Sequence, residues 1–525
     1  MIKTDITLPL FYTQDDLKRS LCASLPIKPE EIRDISLVKR TLILGDKDNL
    51  HYKASVAVSL SEERERGLLK MKKKVQEYPD YTLTLPPSHL ESRPVVCGFG
   101  PAGIFSALAL SIAGARPIVV ERGADIDKRD RSVSLFSTLG ILDPESNIQY
   151  GEGGAGSYSD GKLKVGSMDK YKDFILKALV ECGANPEIFF SATAHVGTDV
   201  LKGVVKKIRE KIISLGGEIR FETRLEKINI RDGAVYSLTL KNKNERYDIE
   251  CDTLIMATGH SARDSFEMLI SAGAALEKKP FGVGVRIEHR RERIDRLVYG
   301  SGARPLESAS YHLVTHLDSG RSVYSFCMCP GGSVVAATNE MCGIVTNGMS
   351  EQARDGENSN SALLVSVTPD DFPGGILSGI DYQRAIERTA FAVTSSYVAP
   401  AERLSHFMGR VGENKEYDVV ASYPLGVCMT DLDTVLPSYI TDSLRAGISD
   451  FDKWMPGFDS DDAILTAPET RTTSPIRVLR TDDKSAIGIR GLYPAGEGAG
   501  YAGGIISSAR DGVIVAEAIL LKNAN

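Results

Sequence analysis

The chain has 525 residues, and its content of 42% hydrophobic and 25% charged residues is typical of a globular protein with a large buried core. This length predicts more than one compact unit. The formal net charge of −7 argues against a protein whose whole surface binds nucleic acid or an anionic membrane, although it allows a local basic patch.

The first residues, MIKTDITLPLFYTQDD, lack the basic start and the apolar run of a secretory signal. No stretch reaches the roughly 18 consecutive apolar residues that are typical of a membrane span. The eight cysteines are scattered, and neither a CxxC pair nor a Cys/His cluster with zinc spacing is present. We therefore expect a cytoplasmic protein with reduced thiols, no metal site and no membrane partner.

Residues 1–90 are predicted to form a small N-terminal α+β domain with the ferredoxin-like order strand–helix–strand–strand–helix–strand. Alternating and amphipathic patterns indicate the elements, and Thr13 and Ser61 are the expected caps of the two helices. The predicted strands are 4–10, 32–44, 52–60 and 81–85, the helices are 15–25 and 61–75, and the turn is 45–49. A proline-rich linker, LPPSHLESRP, follows.

The second predicted helix contains a basic cluster, formed by Arg64, Arg66, Lys70, Lys72, Lys73 and Lys74. On a ferredoxin-like domain such a cluster could bind RNA. Aromatic residues that would stack on bases are not evident, however, and glutamates in the same segment dilute the charge. We favour a solvated helix face and do not expect a nucleic-acid partner.

After Pro94, strand and helix patterns alternate through residue 270, and a strand–helix pair closes the chain. This order predicts a three-layer α/β domain with a parallel sheet, built from residues 94–274 and 476–525. Residues 275–475 lie between the two parts and are rich in short strands, glycines and turns. We interpret them as a strand-rich substrate or insert domain.

A dinucleotide-binding fingerprint opens the α/β domain. The strand Val95–Cys97 runs into Gly98-Phe99-Gly100-Pro101-Ala102-Gly103, a GxGxxG at the start of a helix. The first glycine permits the tight turn, the second lets the backbone approach a diphosphate, and the third lets the helix pack on the strand. The helix N-terminus faces the diphosphate, and Glu121 ends the next strand, where its carboxylate can accept from both ribose hydroxyls. The fingerprint predicts a Rossmann-like domain but leaves NAD and FAD open.

Two further segments favour FAD. The stretch CDTLIMATGH contains a buried strand that runs into Ala257-Thr258-Gly259, as in many flavoproteins. The stretch GLYPAGEGAGYAGGIISSARDG contains a strand, Glu497 and a glycine loop before a helix at Gly504-Ile505. In flavoproteins with two dinucleotide folds, an acid at this place bonds the ribityl chain and the helix N-terminus stabilises negative charge on reduced flavin.

A second glycine-rich loop, GEGGAGSYSDGK, covers residues 151–162. It exposes several backbone N–H groups, which suit an anion or the edge of a flavin, and Lys162 could add a positive charge.

Together these segments resemble a family of bacterial proteins described as uncharacterised FAD-dependent dehydrogenases. The matching stretches are VVCGFGPAGIFSALAL, GEGGAGSYSDGKL, ATGHSARDSFEML, FGVGVRIEH, FCMCPGG, NGMSEQARDGENSNSALLVSV, APETRTTSPIRV and GLYPAGEGAGYAGGIISSARDG. The resemblance implies an FAD domain of the glutathione-reductase type with an added all-strand or mixed domain. The expected FAD contacts from the motifs and the resemblance are Gly98, Gly100, Pro101, Ala102, Gly103, Glu121, Arg122, Gly154, Ala155, Gly156, Asp160, Gly161, Lys162, Leu163, Ala257, Thr258, Gly259, Gly496, Glu497, Gly503, Gly504 and Ile505.

A dedicated nicotinamide domain is not expected. The glycines at 282–284 and 300–302 lack both the third glycine of a fingerprint and a following helix. A CxxxxC redox motif beside the flavin is also missing from the sequence, which disfavours a disulfide reductase. A reduced nicotinamide, NAD(P)H, could still bind transiently in the substrate cleft.

No residue stands out as a catalytic acid or base, and the candidates for a catalytic or substrate contact are Arg286, Cys327, Cys329 and Arg471. Arg286 and His289 alternate with apolar residues on a predicted strand, and Arg286 could bind a substrate carboxylate or phosphate or only form ion pairs. The two cysteines, at i and i+2 of a strand, are expected to point to one face, either as a redox pair or, as we favour, as packing residues. Arg471 ranks first in the polar cluster 469–473.

Other polar residues allow two interpretations. His260 could lie near the cofactor, although we favour a helix cap. The polar segment that contains Asn347, Arg354, Asn358 and Asn360 could line a pocket or form only turn hydrogen bonds.

The first functional hypothesis is an FAD-dependent oxidoreductase that transfers hydride between the flavin and a small organic substrate, with a nicotinamide or another electron carrier completing the cycle. The alternatives are a flavin-binding sensor or interaction protein and an FAD-dependent RNA modifier. Both alternatives would use the N-terminal domain to bind a macromolecule.

Overall fold

An antiparallel sheet and two helices at the N-terminus form the predicted ferredoxin-like pattern. The computed structural model describes residues 1–45, 49–71, 74–300, 306–410 and 417–523. Thr13 caps the first helix through a capping box, and Ser61 accepts a hydrogen bond at the start of the second. The strand order is β2-β3-β1-β4. The elements are β1 (Ile2–Pro9), α1 (Gln14–Ser24), β2 (Asp34–Ile43), β3 (His51–Ser59), α2 (Glu62–Leu69) and β4 (Val75–Glu77).

The last strand of this sheet is not where the sequence predicted it. Strand β4 covers Val75–Glu77, and residues 81–85 are not a strand. Leu83 and Leu85 pack instead against the hydrophobic core of the α/β domain, so their alternating pattern reflects burial of a linker rather than sheet pairing. Helix α2 ends at Leu69, before the last residues of the predicted basic helix.

Parts of three predicted features lie outside the described residues. These parts are residues 46–48 of the predicted turn, Lys72 and Lys73 of the basic cluster, and residues 301 and 302 of the second glycine pair.

Arg40 of β2 joins the N-terminal sheet to the α/β domain. Its backbone N–H donates to the Phe190 carbonyl at 2.6 Å, and its own carbonyl accepts from Ala192 N–H at 3.0 Å. Its guanidinium lies 4.9 Å from the ring centroid of Tyr52 and 5.3 Å from that of Phe190. Backbone pairing and cation–π contacts together hold the two domains at this point.

A parallel sheet in the order β23-β11-β5-β6-β7 forms the centre of the α/β domain. The strands in the middle of this sheet are short and fully buried, as expected when helices cover both faces of the sheet. Its strands and helices are β5 (Val95–Cys97), α3 (Pro101–Ile112), β6 (Ile118–Val120), α4 (Ile126–Leu139), α5 (Lys170–Glu181), α6 (Thr198–Ser214), β7 (Glu218–Arg220), β11 (Leu254–Met256), α7 (Arg263–Ala272), β23 (Leu492–Pro494) and α12 (Ile505–Lys522).

Between β7 and β11 the predicted alternation of strand and helix fails. An antiparallel three-stranded sheet, in the order β10-β9-β8, occupies this segment. Its apolar side chains, among them Ile228, Leu238 and Leu240, pack in one core with strands of the parallel sheet. The strands are β8 (Arg224–Arg231), β9 (Ala234–Lys241) and β10 (Arg246–Glu250).

The middle domain is built on a seven-stranded sheet in the order β14-β15-β18-β13-β21-β19-β20. The sequence predicted its strands but not its long helices, whose apolar faces pack into the same core as the sheet. Its elements are β12 (Leu276–Lys278), β13 (Phe281–Arg290), α8 (Arg291–Tyr299), β14 (Val314–His316), β15 (Ser322–Cys329), β16 (Ser333–Ala336), β17 (Thr346–Met349), β18 (Asn358–Val367), α9 (Ser378–Thr394), β19 (Ala399–Arg403), α10 (Leu404–Phe407), β20 (Val427–Met429), α11 (Ser438–Trp454), β21 (Ile464–Glu469) and β22 (Ile476–Val478).

Gly282 and Gly284 lie inside the central strand β13 rather than in a nucleotide turn. A Cβ at Gly284 would lie 1.9 Å from the Leu363 carbonyl oxygen, so this glycine serves strand packing. Short 3₁₀ helices complete the described fold at Pro29–Glu31, Gly154–Tyr158, Pro186–Phe189, Pro369–Asp371 and Leu432–Thr434. Among the described residues, none of the helices has both the length and the apolar character for crossing a bilayer.

Helix α3 lies unusually close to the turn that precedes it. A Cβ at Gly103 would lie 1.9 Å from the Gly98 carbonyl oxygen, while Gly98 itself has a φ of +100° and would meet the Ala257 oxygen at 2.4 Å. The two glycines therefore fix the turn between β5 and α3 against the end of β11, as the fingerprint predicted.

We predict that Gly103→Ala lowers the free energy of unfolding by about 1–3 kcal/mol or more, because the new methyl group meets backbone that cannot move away. Gly203→Ala in helix α6 is the matched control, since a Cβ there meets no atom within 4 Å. It should raise stability by about 0.5–1 kcal/mol. Urea unfolding followed by circular dichroism measures both, and a Gly103→Ala variant as stable as the parent would contradict the close approach.

Candidate functional site

A cavity lies at the carboxyl ends of strands β5, β6 and β11, where the α/β domain meets the ends of β15, β17 and β21. Ligands of open parallel sheets bind at this edge. The cavity brings together most of the predicted cofactor contacts from five separate segments. The predicted residues that line it are Gly98, Gly100, Pro101, Ala102, Glu121, Arg122, Gly154, Ala155, Gly156, Asp160, Gly161, Lys162, Ala257, Thr258, Gly259, Glu497, Gly503, Gly504 and Ile505.

Three predicted contacts lie behind the cavity wall. Gly103 packs against the turn at Gly98. Leu163 is buried in the core of the α/β domain. Gly496 donates its N–H to Asp511 at 2.7 Å and faces helix α3. These residues shape the wall through packing.

The helix N-termini at the cavity leave backbone N–H groups free of side-chain caps. Gly100 precedes helix α3 and Gly504 precedes helix α12, and neither position has a side-chain cap. Uncapped N–H groups and the helix dipole make such ends binding places for anionic groups.

The carboxylate of Glu121 is held by backbone N–H groups on three sides. It accepts from Phe99 at 2.8 Å and from Gly123 and Gly151 at 2.9 Å. A carboxylate offers about four lone-pair sites, so room remains for about one further donor. The sequence predicted two ribose hydroxyls at this carboxylate, whereas the structure leaves space for one.

Tyr150 is a cavity residue that the sequence did not reveal. Its ring lies 4.6 Å from the Arg122 guanidinium, and its hydroxyl donates to the Ser261 carbonyl at 2.6 Å. Burial raises the pKa of Tyr150 to about 12, so the hydroxyl stays protonated. Tyr150 follows the segment SNIQ in a loop without a motif, and no local signal identifies it.

His260 lines the cavity and does not cap helix α7. The N-cap position is Ala262, which has no side-chain cap, so the favoured interpretation of His260 was wrong. Burial and the charge of Arg471 lower the pKa of His260 to about 4, so its ring is neutral near neutral pH. Its Nδ1 lies 3.8 Å from an oxygen of Glu497.

Glu497 is the acid of the C-terminal glycine loop. Burial raises the pKa of its carboxyl to about 7, against the opposing charge of Lys279. The remaining exposed part of the side chain, 25%, faces the cavity. Glu497 is therefore a group that can hold or release a proton near neutral pH inside the cavity.

Arg471 lines the cavity but is tied to the protein behind it. Its Nε and Nη2 donate to the two oxygens of Glu387 at 2.9 and 2.8 Å, and its Nη1 donates to Asn339. Glu387 also accepts from Arg263 at 2.9 and 3.0 Å. Burial would raise the pKa of Glu387, but the two flanking guanidinium groups hold it at about 2. Arg471 thus contributes a fixed positive charge to the cavity wall.

Arg286 is fully buried in the middle domain and does not line the cavity. Its Nε and Nη2 donate to Glu469 at 2.5 and 3.0 Å, and its remaining N–H groups donate to the Cys327 carbonyl, Asn347 and Asn360. Burial lowers its pKa, but the Glu469 carboxylate more than offsets this effect and the pKa is raised. Because every donor is engaged, the ion-pair interpretation of Arg286 holds, and a direct substrate contact does not.

The two cysteines of FCMC have different environments. Cys327 is exposed to the cavity, has a φ of +40°, and has a thiol whose removal from bulk water raises its pKa to about 11. Cys329 is buried and donates to the Cys327 carbonyl at 3.2 Å. An irregularity in the pairing of β15 with β18 between Phe326 and Cys329 breaks the alternation that predicted one shared face. Both thiols are free.

The residues of the polar segment around residue 350 have two roles: some line the cavity, and others form contacts within the fold. Asn347 lines the cavity, and Arg354 pairs with Asp160 at 2.9 Å. Asn358 donates to Glu288 at 3.0 Å, which fixes the middle domain. His289 is also a scaffold residue, with its Nε2 2.7 Å from the Phe458 carbonyl oxygen.

The comparisons with known proteins agree with this geometry. The sequence model of the family described as FAD-dependent protein, C-terminal domain-like, matches residues 280–472. An uncharacterised protein of Clostridium beijerinckii is 43% identical over 528 residues, which cover 99% of this chain and 98% of that protein. The chain belongs to this family of bacterial FAD-dependent proteins. Its cofactor is FAD.

Two solved structures show a distant likeness to the chain. A 3-ketosteroid-Δ4-(5α)-dehydrogenase from Rhodococcus jostii RHA1 has a TM-score of 0.35 and 15% identity, and covers 84% of this chain and 100% of its own. A quinol fumarate reductase of E. coli has a TM-score of 0.37 and 13% identity, and covers 83% of this chain and 70% of its own. TM-scores this low carry no argument about chemistry.

The residues of the cavity fit FAD. At Gly259 and Gly503 a Cβ would meet no atom within 4 Å, so both glycines border open space at the wall. The uncapped start of α3 suits the diphosphate, and the carboxylates of Glu121 and Glu497 suit hydroxyl groups. A bound FAD would thus meet complementary groups along the length of the cavity.

The raised pKa of Glu497 predicts a pH-dependent stability of the apoprotein. The folded protein holds this proton more tightly than the unfolded chain, so the contribution is present below the ordinary glutamate pKa of 4.5 and is lost as pH rises through about 7. Glu497→Gln, which stays neutral, should therefore be nearly as stable as the parent at about pH 4 and more stable, by up to about 3 kcal/mol, at about pH 8. Urea unfolding at both pH values measures the difference. An equal difference at both values would contradict the raised pKa.

Proposed function

We propose that this protein is an FAD-dependent oxidoreductase that transfers hydride between its flavin and a small organic substrate. The observation that supports the proposal is that one cavity joins the dinucleotide turn of the α/β domain to a wall of the middle domain. We call the residues Lys162, Phe326, Cys327, Asn347 and Gly348, which line the cavity, the substrate wall. When bound, FAD supplies the electron chemistry.

The residues of the cavity have separate roles in this proposal. The turn at Gly98–Ala102 and the start of helix α3 would bind the diphosphate, and Glu121 would accept from a ribose hydroxyl. Glu497 would hold a proton at its carboxyl oxygen, beside neutral His260. Arg471, fixed by Glu387, would favour negative charge in its neighbourhood without a proton transfer of its own.

The electron partner would share the same cavity. The sequence holds no second GxGxxG for a dedicated nicotinamide domain, so NAD(P)H or another carrier would bind transiently at the substrate wall. The substrate and the carrier would then exclude each other, which is the behaviour of enzymes that react with their two partners in turn.

We predict that the purified protein is yellow and that Gly100→Val removes most of its FAD. A Cβ at Gly100 has only one neighbour within 4 Å, the Gly154 Cα at an ordinary contact distance of 3.6 Å, and Gly100 lines the cavity. We therefore expect the variant to fold and its side chain to occupy space that the diphosphate needs. The variant should therefore keep the parent's far-ultraviolet circular dichroism while it loses the visible absorbance of bound flavin. Full retention of FAD by this folded variant would contradict the proposed diphosphate site.

We also predict that a two-electron carrier bleaches the bound flavin. Stopped-flow mixing of the yellow protein with NADH or NADPH should remove the visible flavin band, and air or an added acceptor should restore it. If no carrier reduces the flavin while dithionite does, the oxidoreductase proposal fails. A flavin-binding sensor or interaction protein would then be the better description.

A further inference from the structure

We propose that the substrate wall binds the carboxylate of a small organic acid, with Lys162 and Asn347 holding the carboxylate and Phe326 contacting the apolar body of the acid. This inference rests on the proposed function, because it names the substrate class of the same cavity.

The charge of the wall is the first observation. Two cavity carboxylates from the same segments as the wall or beside it are already neutralised from behind, Asp160 by Arg354 at 2.9 Å and Glu469 by Arg286 at 2.5 Å. All four of these side chains are at least nine-tenths buried. The charges in excess are therefore positive, and they belong to lysines.

Two lysines provide this excess charge. The Lys162 side chain is 24% exposed, and its ammonium donates to the Met328 carbonyl and lies 3.6 Å from Asp160. An ammonium has three hydrogens, so at least one remains for a ligand. Lys164 is exposed, with its Nζ 5.6 Å from the centroid of the Phe326 ring. Lys164 thus borders an aromatic residue of the cavity wall, and Lys162 lines the cavity itself.

Asn347 provides a directed donor in the same cavity as Lys162. Its carboxamide oxygen accepts from Arg286 Nη2 at 2.9 Å and from Gly348 N–H at 2.8 Å, which fixes the orientation of the amide. Among the described residues, its Nδ2 has no acceptor, although the side chain lines the cavity. This N–H group is therefore available to a ligand oxygen.

His195, which neighbours Lys162, carries no charge that would act on a bound anion. Burial and the charge of Arg354 lower the pKa of His195, which pairs with Lys162 in an isolated bridge, to about 4. Its ring is neutral near neutral pH. The wall thus combines ammonium and amide donors with the half-buried ring of Phe326 and the thiol of Cys327. Donors over an apolar surface match a carboxylate on an apolar, planar body.

The test uses the yellow holoenzyme with benzoate as the probe and benzamide as its neutral counterpart. Benzoate should perturb the visible absorbance of the flavin with saturation, and benzamide should bind at least about tenfold more weakly. Lys162→Gln should weaken benzoate binding about tenfold. Lys164→Gln should weaken it by a smaller factor, because an exposed charge is screened. Lys18→Gln, which removes an exposed charge from helix α1, is the control and should bind benzoate like the parent.

The outcomes separate this inference from the proposed function. A flavin that electron carriers reduce, together with equal binding of benzoate and benzamide, overturns the carboxylate site and leaves the oxidoreductase. Failure of benzoate to perturb the flavin also overturns it, as does benzoate binding that is unchanged in both Lys162→Gln and Lys164→Gln. A flavin that no carrier reduces contradicts the proposed function, whatever benzoate does. If Lys162→Gln loses FAD, benzoate binding by Lys164→Gln decides the outcome, because Lys164 does not line the cavity and its replacement should leave FAD bound.

Discussion

The carboxylate of Glu387 lies between the guanidinium groups of Arg263 and Arg471, and the shape of the cavity depends on this contact. Arg263 begins helix α7 of the α/β domain, Glu387 belongs to helix α9 of the middle domain, and Arg471 follows strand β21. One carboxylate therefore joins both domains directly behind the cavity wall. All three side chains are buried. Loss of the carboxylate would remove the acid that pairs with Arg471 and leave Arg263 paired with Glu340, and breaking such a buried pair typically costs about 3–5 kcal/mol.

The same physical rule separates the two kinds of positive charge in the cavity. The N–H groups of Arg286 and Arg471 donate to Glu469, Glu387 and neighbouring amides, because a buried guanidinium must have acceptors for its N–H groups. They set the electrostatic potential and the positions of their partners. Lys162 keeps free donors at the surface of the cavity. A ligand that needs a direct ionic contact would therefore meet a lysine first, although the arginines were the stronger candidates from sequence.

Prediction from sequence succeeded where a local pattern has one physical cause. The turn at Gly98–Gly103 could be placed at the cavity because Gly98 and Gly103 allow a close approach of backbone that a larger residue would block. The loop at Gly503–Gly504 could be placed there because a strand, a glycine loop and the start of a helix follow one another in the sequence. Glu387 could not be found, since on helix α9 it looks like any polar residue of an amphipathic helix, and its partners are remote in sequence. The alternation of apolar and polar residues at 81–85 is typical of a strand, but a linker that packs on a core produces the same pattern, and the predicted strand was wrong. Local sequence also gave no sign of the irregular pairing that separates Cys327 from Cys329.

The dinucleotide side and the substrate wall of the cavity therefore depend on different parts of the chain, the first on backbone groups and the second on side chains. The dinucleotide side consists largely of backbone N–H groups at glycine turns and helix starts, and such a site changes little when surrounding side chains change. The substrate wall consists of side chains from a loop of the α/β domain and from strands β15 and β17. Substitutions at Lys162, Phe326 or Asn347 would alter what the wall binds without disturbing the glycine turns. Within this family, the cofactor should therefore be more constant than the substrate, since function resides in sites placed on a shared fold.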